Sequence, residues 1–346
     1  MYTTGCKLFF CQHILSKYHK AISKNRFMST NLHSSMNIFD RNAKLKQKER
    51  AGRMENVDTY DYLKDEIGYR LADRVFDVKR TFKCALDLGC SRGYVSKNII
   101  RDSVEKLIMC DTSETYLYQA SPPEDGVEVE RLVVDEEKLP FESDYFDLVI
   151  SNLSLHWVND LPGAFSQIMR VLKNDGVFLA SVFGGDSLYE LRCSLQLAEL
   201  ERVGGISPHI SPFTAVQDIG SLLNRAGFTM LTIDTDEIVV GYPSMFELMW
   251  DLKGMGESNA ARNRSLHLSR EKMLAAAAIY QELYGEKDKV PATFQVLYMV
   301  GWKPDPTQPK PAARGSGEVS LKDLYRLDEV VKDIKKMPLD DGDKKK

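Results

Sequence analysis

Acidic residues are absent from the first 39 positions of this chain of 346 residues. No Asp or Glu lies between Met1 and Phe39, whereas lysine, arginine and serine recur there. A basic, acid-poor leader of this kind is typical of a mitochondrial presequence, although a disordered basic tail has the same composition. We predict that residues 1–36 form a presequence, which would set the compartment and leave the chemistry open.

Long apolar runs are also absent. The patch Leu8-Phe9-Phe10, like every other apolar segment, is far shorter than the roughly 20 residues that a transmembrane helix needs. We therefore predict no transmembrane segment, so that any membrane contact is peripheral. The formal net charge is -4, and a chain without excess positive charge gives no indication of nucleic-acid binding.

Cysteine and histidine are scarce and scattered. The six cysteines form no Cys-x-x-Cys pair, so we interpret them as reduced and mostly buried. None of the six histidines begins a His-x-Asp/Glu pair, as an iron site of two histidines and one carboxylate often requires, and we predict no metal ligands. His156 is expected to cap a strand or to pack, and His209 to shape a loop or contact a substrate.

Short apolar segments alternate with helical patterns through the middle of the chain, which is typical of a parallel sheet covered on both faces. The predicted strands are 85–88, 107–110, 129–134, 146–151 and 177–183. The predicted helices are 94–100, 115–120 and 164–172, the last followed by a turn at Asn174-Asp175-Gly176. The fold class is therefore α/β, a doubly wound, Rossmann-like sheet.

Four segments complete the predicted organisation. Residues 37–80 form an N-terminal helical segment, because apolar residues such as Leu63, Ile67 and Leu71 recur in it at helical spacing. Residues 81–302 form the main domain, in which a helical insert, 243–291, separates two further strands, 229–239 and 294–302. Residues 303–346 are proline-rich and then charged, which indicates a linker and tail.

Polar clusters follow four of the predicted strands. They are the segment from Asp87 through the glycine turn 89–93, then Asp111, then Asp135-Glu136, and finally Asn152-Leu153. Ligands of open parallel sheets bind at the carboxyl ends of the strands, so the clusters support one shared site. Glycine lets a backbone approach a ligand closely, and a carboxylate accepts hydrogen bonds from both hydroxyls of a ribose.

The turn resembles the first motif of class I S-adenosylmethionine-dependent methyltransferases, although Ser91 stands where a glycine is usual and Arg92 where a small residue is common. The resemblance implies a seven-stranded sheet with one antiparallel strand and S-adenosyl-L-methionine as cofactor. Asp111 would hold the ribose, and Asp135 or Glu136 the adenine amine. Asp87 would lie near the methionine amino group, and Asn152 and Leu153 near the sulfur end. The full predicted cofactor set is Asp87, Gly89, Cys90, Gly93, Asp111, Asp135, Glu136, Asn152 and Leu153.

More particular resemblances extend over the rest of the domain. Residues 81–183 resemble methyltransferases of the biotin-pathway carrier-protein type. Residues 184–192 and 204–213, together with the leader, are similar to mitochondrial complex I assembly factors whose assigned chemistry is hydroxylation of an arginine in an iron–sulfur subunit. That resemblance implies this subunit and other assembly factors as partners, and a location in the matrix beside the inner membrane. It names no oxidant.

An arginine substrate requires carboxylates and aromatic faces near the reactive end of the cofactor. Asp186, Tyr189 and Glu190 follow the fifth predicted strand and are candidates for this role, with His156 as a further catalytic candidate. The alternative for Glu190 is an exposed charge on a helix. Two other functions stay open, a protein methyltransferase and a non-catalytic assembly chaperone, since the same fold serves all three.

Overall fold

A seven-stranded sheet in the order β3-β2-β1-β4-β5-β7-β6 forms the centre of the protein. The computed structural model describes residues 37–309 of the chain. The strands are β1 (Ala85–Leu88), β2 (Lys106–Asp111), β3 (Glu128–Val133), β4 (Phe146–Asn152), β5 (Leu172–Phe183), β6 (Thr229–Tyr242) and β7 (Val290–Trp302). β1 to β5 pair in parallel, and β7 is antiparallel to both of its neighbours, β5 and β6. The predicted fold class is confirmed.

Helices cover both faces of the sheet. They are α1 (Arg41–Gly52), α2 (Tyr62–Asp77), α3 (Glu114–Gln119), α4 (Leu161–Val171), α5 (Tyr189–Val203), α6 (Val216–Ala226), α7 (Met245–Gly254) and α8 (Arg270–Tyr284). Alternate residues of β1 serve the two layers: Ala85 packs in the cluster that contains α2, and Leu86 in the cluster of α4 and α6. Because side chains alternate across a strand, a strand covered on both faces is apolar throughout.

The N-terminal helical pattern is observed as α1, a 3-10 turn at Val57–Tyr60, and α2. Leu63, Ile67 and Leu71 of α2 are buried against the sheet, as their spacing predicts. α1 differs, because the side chains of Lys44 and Lys48 are buried on it in place of a large apolar stripe. Some force other than apolar burial must therefore hold α1 in place.

Two predicted elements are wrong. The expected helix 94–100 is only a 3-10 turn at Ser96–Asn98, because α2 already covers this region: a Cβ at Gly68 would lie 2.6 Å from the carbonyl oxygen of Tyr94. The expected turn at residues 174–176 lies inside β5. β5 begins to pair with β4 directly after α4 ends. The extra residues of β5 lie where the pairing register shifts, between Phe146 and Leu148 of β4, which is how a β-bulge accommodates an insertion.

The helices α7 and α8 lie between β6 and β7 in the chain, as the helical pattern of 243–291 predicts. Residues 1–36 and 310–346, and with them the predicted presequence and most of the predicted tail, lie outside the described residues. Within residues 37–309, no helix combines the length and apolarity that crossing a bilayer requires.

Candidate functional site

The carboxyl ends of β2, β1 and β4 meet at one edge of the sheet and bring together the polar clusters predicted there. Ser91 on the turn after β1 donates its backbone N–H to Asp111 at the end of β2, at 3.0 Å. Ser154, two residues after β4, donates its hydroxyl to Glu136, which follows β3, at 2.6 Å. The polar residues that follow these strands are therefore linked in one site.

The glycine turn is closely fitted to this site. Gly89 has a φ of +73°, and a Cβ there would lie 2.2 Å from the hydroxyl oxygen of Ser154. Ser91, where a glycine is usual, adopts a φ of 51°. Left-handed backbone is costly for a residue with a Cβ, but it directs the Ser91 amide at Asp111. Ser91 therefore adopts the left-handed conformation that a glycine adopts without strain.

Asp87 is buried at the centre of the site and only partly satisfied. Ser96 donates its hydroxyl to Oδ2 at 2.6 Å, whereas Oδ1 has no hydrogen-bond partner. Burial raises the pKa of Asp87 to about 7, against the opposing hydrogen bond from Ser96, and the nearby Asp111 adds to the rise. An unpaired carboxylate oxygen at such a position can accept a hydrogen bond from a ligand amine.

Asp111 is fully enclosed and fully engaged. Its oxygens accept the backbone N–H groups of Ser91 and Ser113 at 3.0 and 2.7 Å. Lys48 on α1 donates to both oxygens, at 3.1 and 3.0 Å. Burial alone would lower the pKa of Lys48, but the carboxylates of Asp111 and Glu136 outweigh it and raise the pKa. The predicted ribose acceptor therefore holds a charged lysine.

Glu136 and Asp135 separate into a buried and an exposed carboxylate. Arg41, the first residue of α1, donates to both side chains. Glu136 is buried, whereas the Asp135 side chain is 46% exposed. Burial alone would raise the pKa of Glu136, but Arg41, Lys48 and the hydroxyl of Ser154 lower it to about 2. Of the two candidates for the adenine contact, Glu136 faces the interior of the site.

Two further predicted cofactor residues, Asn152 and Leu153, lie beside these acids. Asn152, the last residue of β4, accepts from the hydroxyl of Ser181 at 2.7 Å and donates to the carbonyl oxygen of Lys64 at 3.4 Å. Leu153 is buried with a φ of 47°. Both positions are shaped by the protein's own contacts, and their role near the cofactor sulfur stays a prediction.

The cationic face of α1 is the part of the site that the sequence analysis misses. Arg41, Lys44 and Lys48 recur at helical spacing on one side of α1. Arg41 and Lys48 pair with strand-end carboxylates, whereas Lys44 pairs with Glu257, which follows α7. Lys46 lies on the same helix but is exposed, so it does not belong to this group of cations. The spacing of three cations at i, i+3 and i+7 opposite predicted strand-end acids is the signal that could have identified them.

A buried group of charges continues the site towards the insert. Glu257, just after α7, accepts from Lys44 at 2.9 Å and from Lys64 at 2.6 Å. The indole nitrogen of Trp157 donates to the same carboxylate at 2.8 Å. Burial alone would raise the pKa of Glu257, yet the two lysines hold it well below its usual range. The insert is thereby tied to both α1 and α2.

The donor set fits S-adenosyl-L-methionine, but α1 fills part of the space. The unpaired oxygen of Asp87 and the closely approached glycine turn suit an amine and an extended ligand. The cavity between α1 and the strand ends, lined by Arg41, Lys44, Lys48, Glu136 and Trp157 among others, measures about 110 Å³. Ligand pockets generally have roughly 300–1,000 Å³. Side chains of α1 therefore lie where a cofactor at these strand ends would need space.

The predicted catalytic candidates after β5 differ in their exposure to solvent. Asp186 and Tyr189 are exposed after β5. Glu190 is buried, and both of its oxygens accept from Thr293 on β7, so the alternative of an exposed helix charge is wrong. The carboxylate of Glu190 joins α5 to the last strand. The substrate-contacting role of these three residues stays a prediction.

His156 packs, as expected, among the rings of Trp157, Phe183 and Phe213. Its ring nitrogens have no hydrogen-bond partner; Nε2 lies 3.7 Å from Glu257, which is too long for a hydrogen bond. Burial lowers the pKa of His156, against the opposing effect of Glu257. The structure therefore contains a buried imidazole whose two ring nitrogens both lack a hydrogen-bond partner, with Nε2 the one nearer to Glu257.

Two other residues of the turn have structural partners. Arg92 pairs with Asp58 and Asp61 of the segment between α1 and α2. Cys90 is buried, and burial raises the pKa of its thiol well above the usual value. The four cysteines within residues 37–309 are all free thiols. Arg92 therefore fixes the N-terminal segment against the turn, and Cys90 contributes to packing.

Comparison with known proteins gives relatives of two chemistries. A family model described as a methyltransferase domain matches residues 86–180. The human protein named arginine-hydroxylase NDUFAF5, mitochondrial, is 55% identical over 303 residues, which cover 87% of this chain and 87% of that protein. The protein of the same name from Dictyostelium discoideum is 44% identical over 314 residues, which cover 84% of this chain and 71% of that protein.

A more distant relative carries the second chemistry in its name. A malonyl-[acyl-carrier protein] O-methyltransferase from Methylovorus sp. is 32% identical over 257 residues, which cover 71% of this chain and 85% of that protein. Arginine hydroxylation and O-methylation are thus both named among proteins that share most of their length with this chain.

Proposed function

This chain belongs to the family of the mitochondrial arginine-hydroxylase NDUFAF5, and we propose that it is a mitochondrial enzyme that hydroxylates an arginine side chain of a protein. The observation that carries the proposal is the 55% identity to the human protein, because it spans 87% of both chains. The proposed substrate is an iron–sulfur subunit of complex I, modified early in assembly in the matrix beside the inner membrane. Its support is the resemblance of residues 184–192 and 204–213 to complex I assembly factors.

S-adenosyl-L-methionine is the proposed cofactor, and the strand-end residues are its proposed binding groups. Asp87 has an unpaired oxygen for an amine, Asp111 has the geometry to accept two hydroxyls after Lys48 withdraws, and Glu136 faces the interior. In methyltransferases of this fold, the bound cofactor supplies a methyl group activated by its sulfonium centre. Within residues 37–309, no group of three or more His, Cys, Asp or Glu side chains is arranged to hold a metal ion. We propose no oxidant.

The product mass tests the proposal. The full chain is incubated with the unmodified iron–sulfur subunit, S-adenosyl-L-methionine, oxygen and a two-electron reductant, because inserting one atom of O2 into a C–H bond reduces the other atom to water. The arginine peptides are then mapped by mass spectrometry. We expect one peptide to gain one oxygen. An Asp111→Asn variant that still folds should lose cofactor binding, and comparison of its product with that of the unaltered chain shows whether the cofactor site is required.

A protein methyltransferase is the second candidate, favoured by the 32% identity to an O-methyltransferase and by the strand-end acids. It predicts that the peptide gains one methylene in the same assay. An unmodified subunit that remains bound to the chain would instead support a non-catalytic assembly chaperone. Either result would contradict the hydroxylase proposal.

A further inference from the structure

The ammonium of Lys44 occupies a buried site built for a cation. It lies 3.4 Å from the ring centroid of Trp157. It also donates to the carbonyl oxygen of Gly256 at 2.7 Å and to Oε2 of Glu257 at 2.9 Å. An aromatic face, a carboxylate and a carbonyl oxygen together form a favourable environment for an organic cation. We call these three groups the Lys44 site.

One neighbour of this site has an unused acceptor. His156 is buried, its ring nitrogens have no hydrogen-bond partner, and Nε2 lies 3.7 Å from the same Glu257 oxygen that Lys44 contacts. A neutral imidazole has one acceptor nitrogen. A buried acceptor without a donor has a free-energy cost, so the single ammonium of Lys44 leaves the polar groups of this region incompletely satisfied.

Lys44 is held there by its polar and cation–π contacts and not by apolar burial of its helix. Its helix, α1, buries Lys44, Lys48, Ala51 and Gly52 but no large apolar side chain. Removing one partner of a buried ion pair is costly, whereas exchanging that partner for another cation keeps the pair. Burial lowers the pKa of Lys44 to about 7; Glu257 opposes this change, and the ammonium of Lys64 adds to it. A second cation that makes the same contacts can therefore replace Lys44 without leaving Oε2 of Glu257 unpaired.

We propose that the Lys44 site receives the guanidinium of the substrate arginine. The ammonium of Lys44 occupies the site when no substrate is bound. The inference rests on the proposed function, since arginine is the side chain that the family name specifies. Lys64 holds the second oxygen of Glu257 at 2.6 Å, so the carboxylate keeps a partner when Lys44 leaves. Oε2 and the carbonyl oxygen of Gly256 are then available to the incoming cation.

A guanidinium matches these groups better than an ammonium does. It is planar and stacks on an aromatic ring, and it has five N–H donors in a fixed arrangement. It can satisfy Glu257 and Gly256 while directing a further N–H towards His156, the acceptor that Lys44 leaves unpaired. The chemistry of the site therefore favours arginine over lysine.

The Lys44 site adjoins the cofactor position. Lys44 and Trp157 line the same cavity as Lys48 and Glu136, so a side chain bound there lies next to the strand-end acids. Asp186 and Tyr189, the substrate contacts predicted from the sequence, are exposed after β5 and do not line this cavity. The structure thus directs the substrate side chain between α1 and the insert.

Binding of a small arginine probe tests this inference on the full chain. Titration calorimetry with N-acetyl-L-arginine N-methylamide compares the unaltered chain with Lys44→Met, which removes the competing ammonium. We expect Lys44→Met to bind the probe about tenfold more tightly, because the binding-competent state no longer competes with an internal ligand. Equal or weaker binding by a folded Lys44→Met protein would overturn the proposal.

Matched controls separate the site from general charge effects. Lys46→Met makes the same change on the exposed side of α1 and should bind the probe as the unaltered chain does. The neutral isostere N-acetyl-L-citrulline N-methylamide should gain nothing from Lys44→Met. Adding Glu257→Gln to Lys44→Met should abolish the gain, whereas adding the exposed Glu271→Gln should preserve it. A gain shared by Lys46→Met or by citrulline would contradict the assignment.

A measurement on the unaltered chain covers the case in which Lys44→Met fails to fold. The ring nitrogen resonances of His156, assigned with His156→Gln, should shift when the arginine probe saturates the protein. Probe binding that leaves these resonances unchanged would overturn the proposal. The product assay distinguishes the two ideas: an oxygenated peptide without probe binding at the Lys44 site contradicts only this inference, whereas probe binding there without oxygenation contradicts only the hydroxylase.

Discussion

Lys48 donates to both carboxylate oxygens of Asp111, at 3.1 and 3.0 Å, with both side chains almost wholly buried. The same carboxylate accepts two backbone N–H groups, so it has no free position in the direction of Lys48. Asp111 is the residue that the family resemblance places against the ribose of the cofactor. The ammonium of Lys48 on α1 therefore occupies the position that the ribose of the proposed cofactor would need.

Replacing Lys48 with Met should tighten the binding of S-adenosylhomocysteine by about tenfold, which corresponds to roughly 1.4 kcal/mol. The ligand hydroxyls then reach Asp111 without breaking a buried ion pair. Titration calorimetry measures the change, and Lys46→Met, an equal change of charge at an exposed position of the same helix, is the control. Weaker binding by Lys48→Met would show that the lysine assists the ligand.

Gly89→Ala should disrupt the turn after β1. The added Cβ would lie 2.2 Å from the hydroxyl oxygen of Ser154, at a φ of +73°, and such strain and overlap together cost about 2–4 kcal/mol. Urea unfolding should detect that loss, and calorimetry a loss of cofactor affinity. Gly185→Ala is the control, because nothing lies within 4 Å of its added Cβ. Equal stability of both variants would contradict the close fit.

Asp87 should make the free energy of unfolding fall as the pH rises. Burial raises its pKa from 3.8 to about 7, so between these values the folded protein keeps a proton that the unfolded chain has released. The stabilising contribution is complete below about pH 4 and is lost as the pH rises through 7, with an upper bound of roughly 4 kcal/mol.

Asp87→Asn removes this titration, so the stability of the variant relative to the unaltered chain should increase between about pH 4 and 8. Urea unfolding across that range measures the difference, and Asp73→Asn, at an exposed position of α2, is the control. A difference independent of pH would mean that Asp87 is ionised throughout.

The sequence predicts the sheet edge well because strand ends are local features. Asp87, the glycine turn and Asp111 are each marked by a short apolar segment followed by a polar or glycine residue, and parallel strands place such ends together. The contribution of α1 is not local. Lys44 and Lys48 belong to a helix without an apolar stripe, and only the fold shows that carboxylates more than 60 positions later in the chain lie opposite them.

The burial of Glu190 could not be predicted for the same reason, because its partner is distant in the sequence. A carboxylate in the first turn of a helix is normally expected to be exposed. The partner that buries Glu190, Thr293, lies 103 positions later in the chain. Likewise, the length of β5 depends on its pairing with β4 and β7, which carries residues 174–176 into the strand although their composition favours a turn. Tertiary pairing overrides local preference at both places.

Glu190→Gln should lower stability by about 1–3 kcal/mol, because an amide cannot accept both hydrogen bonds from Thr293 in the way that a carboxylate does. Cofactor affinity should be unchanged, and so should product formation for each folded molecule if the residue only joins α5 to β7. Thermal unfolding and the peptide assay measure these quantities. The exposed Asp186→Asn provides the comparison, and loss of product without loss of stability would favour the substrate-contacting role.

A crystal structure of the full chain with S-adenosylhomocysteine tests most directly whether α1 occupies ligand positions. We expect the ribose hydroxyls to contact Asp111 and the ammonium of Lys48 to have withdrawn from both oxygens of that carboxylate. A complex in which the ligand is bound while Lys48 still donates to both oxygens of Asp111 would contradict this expectation.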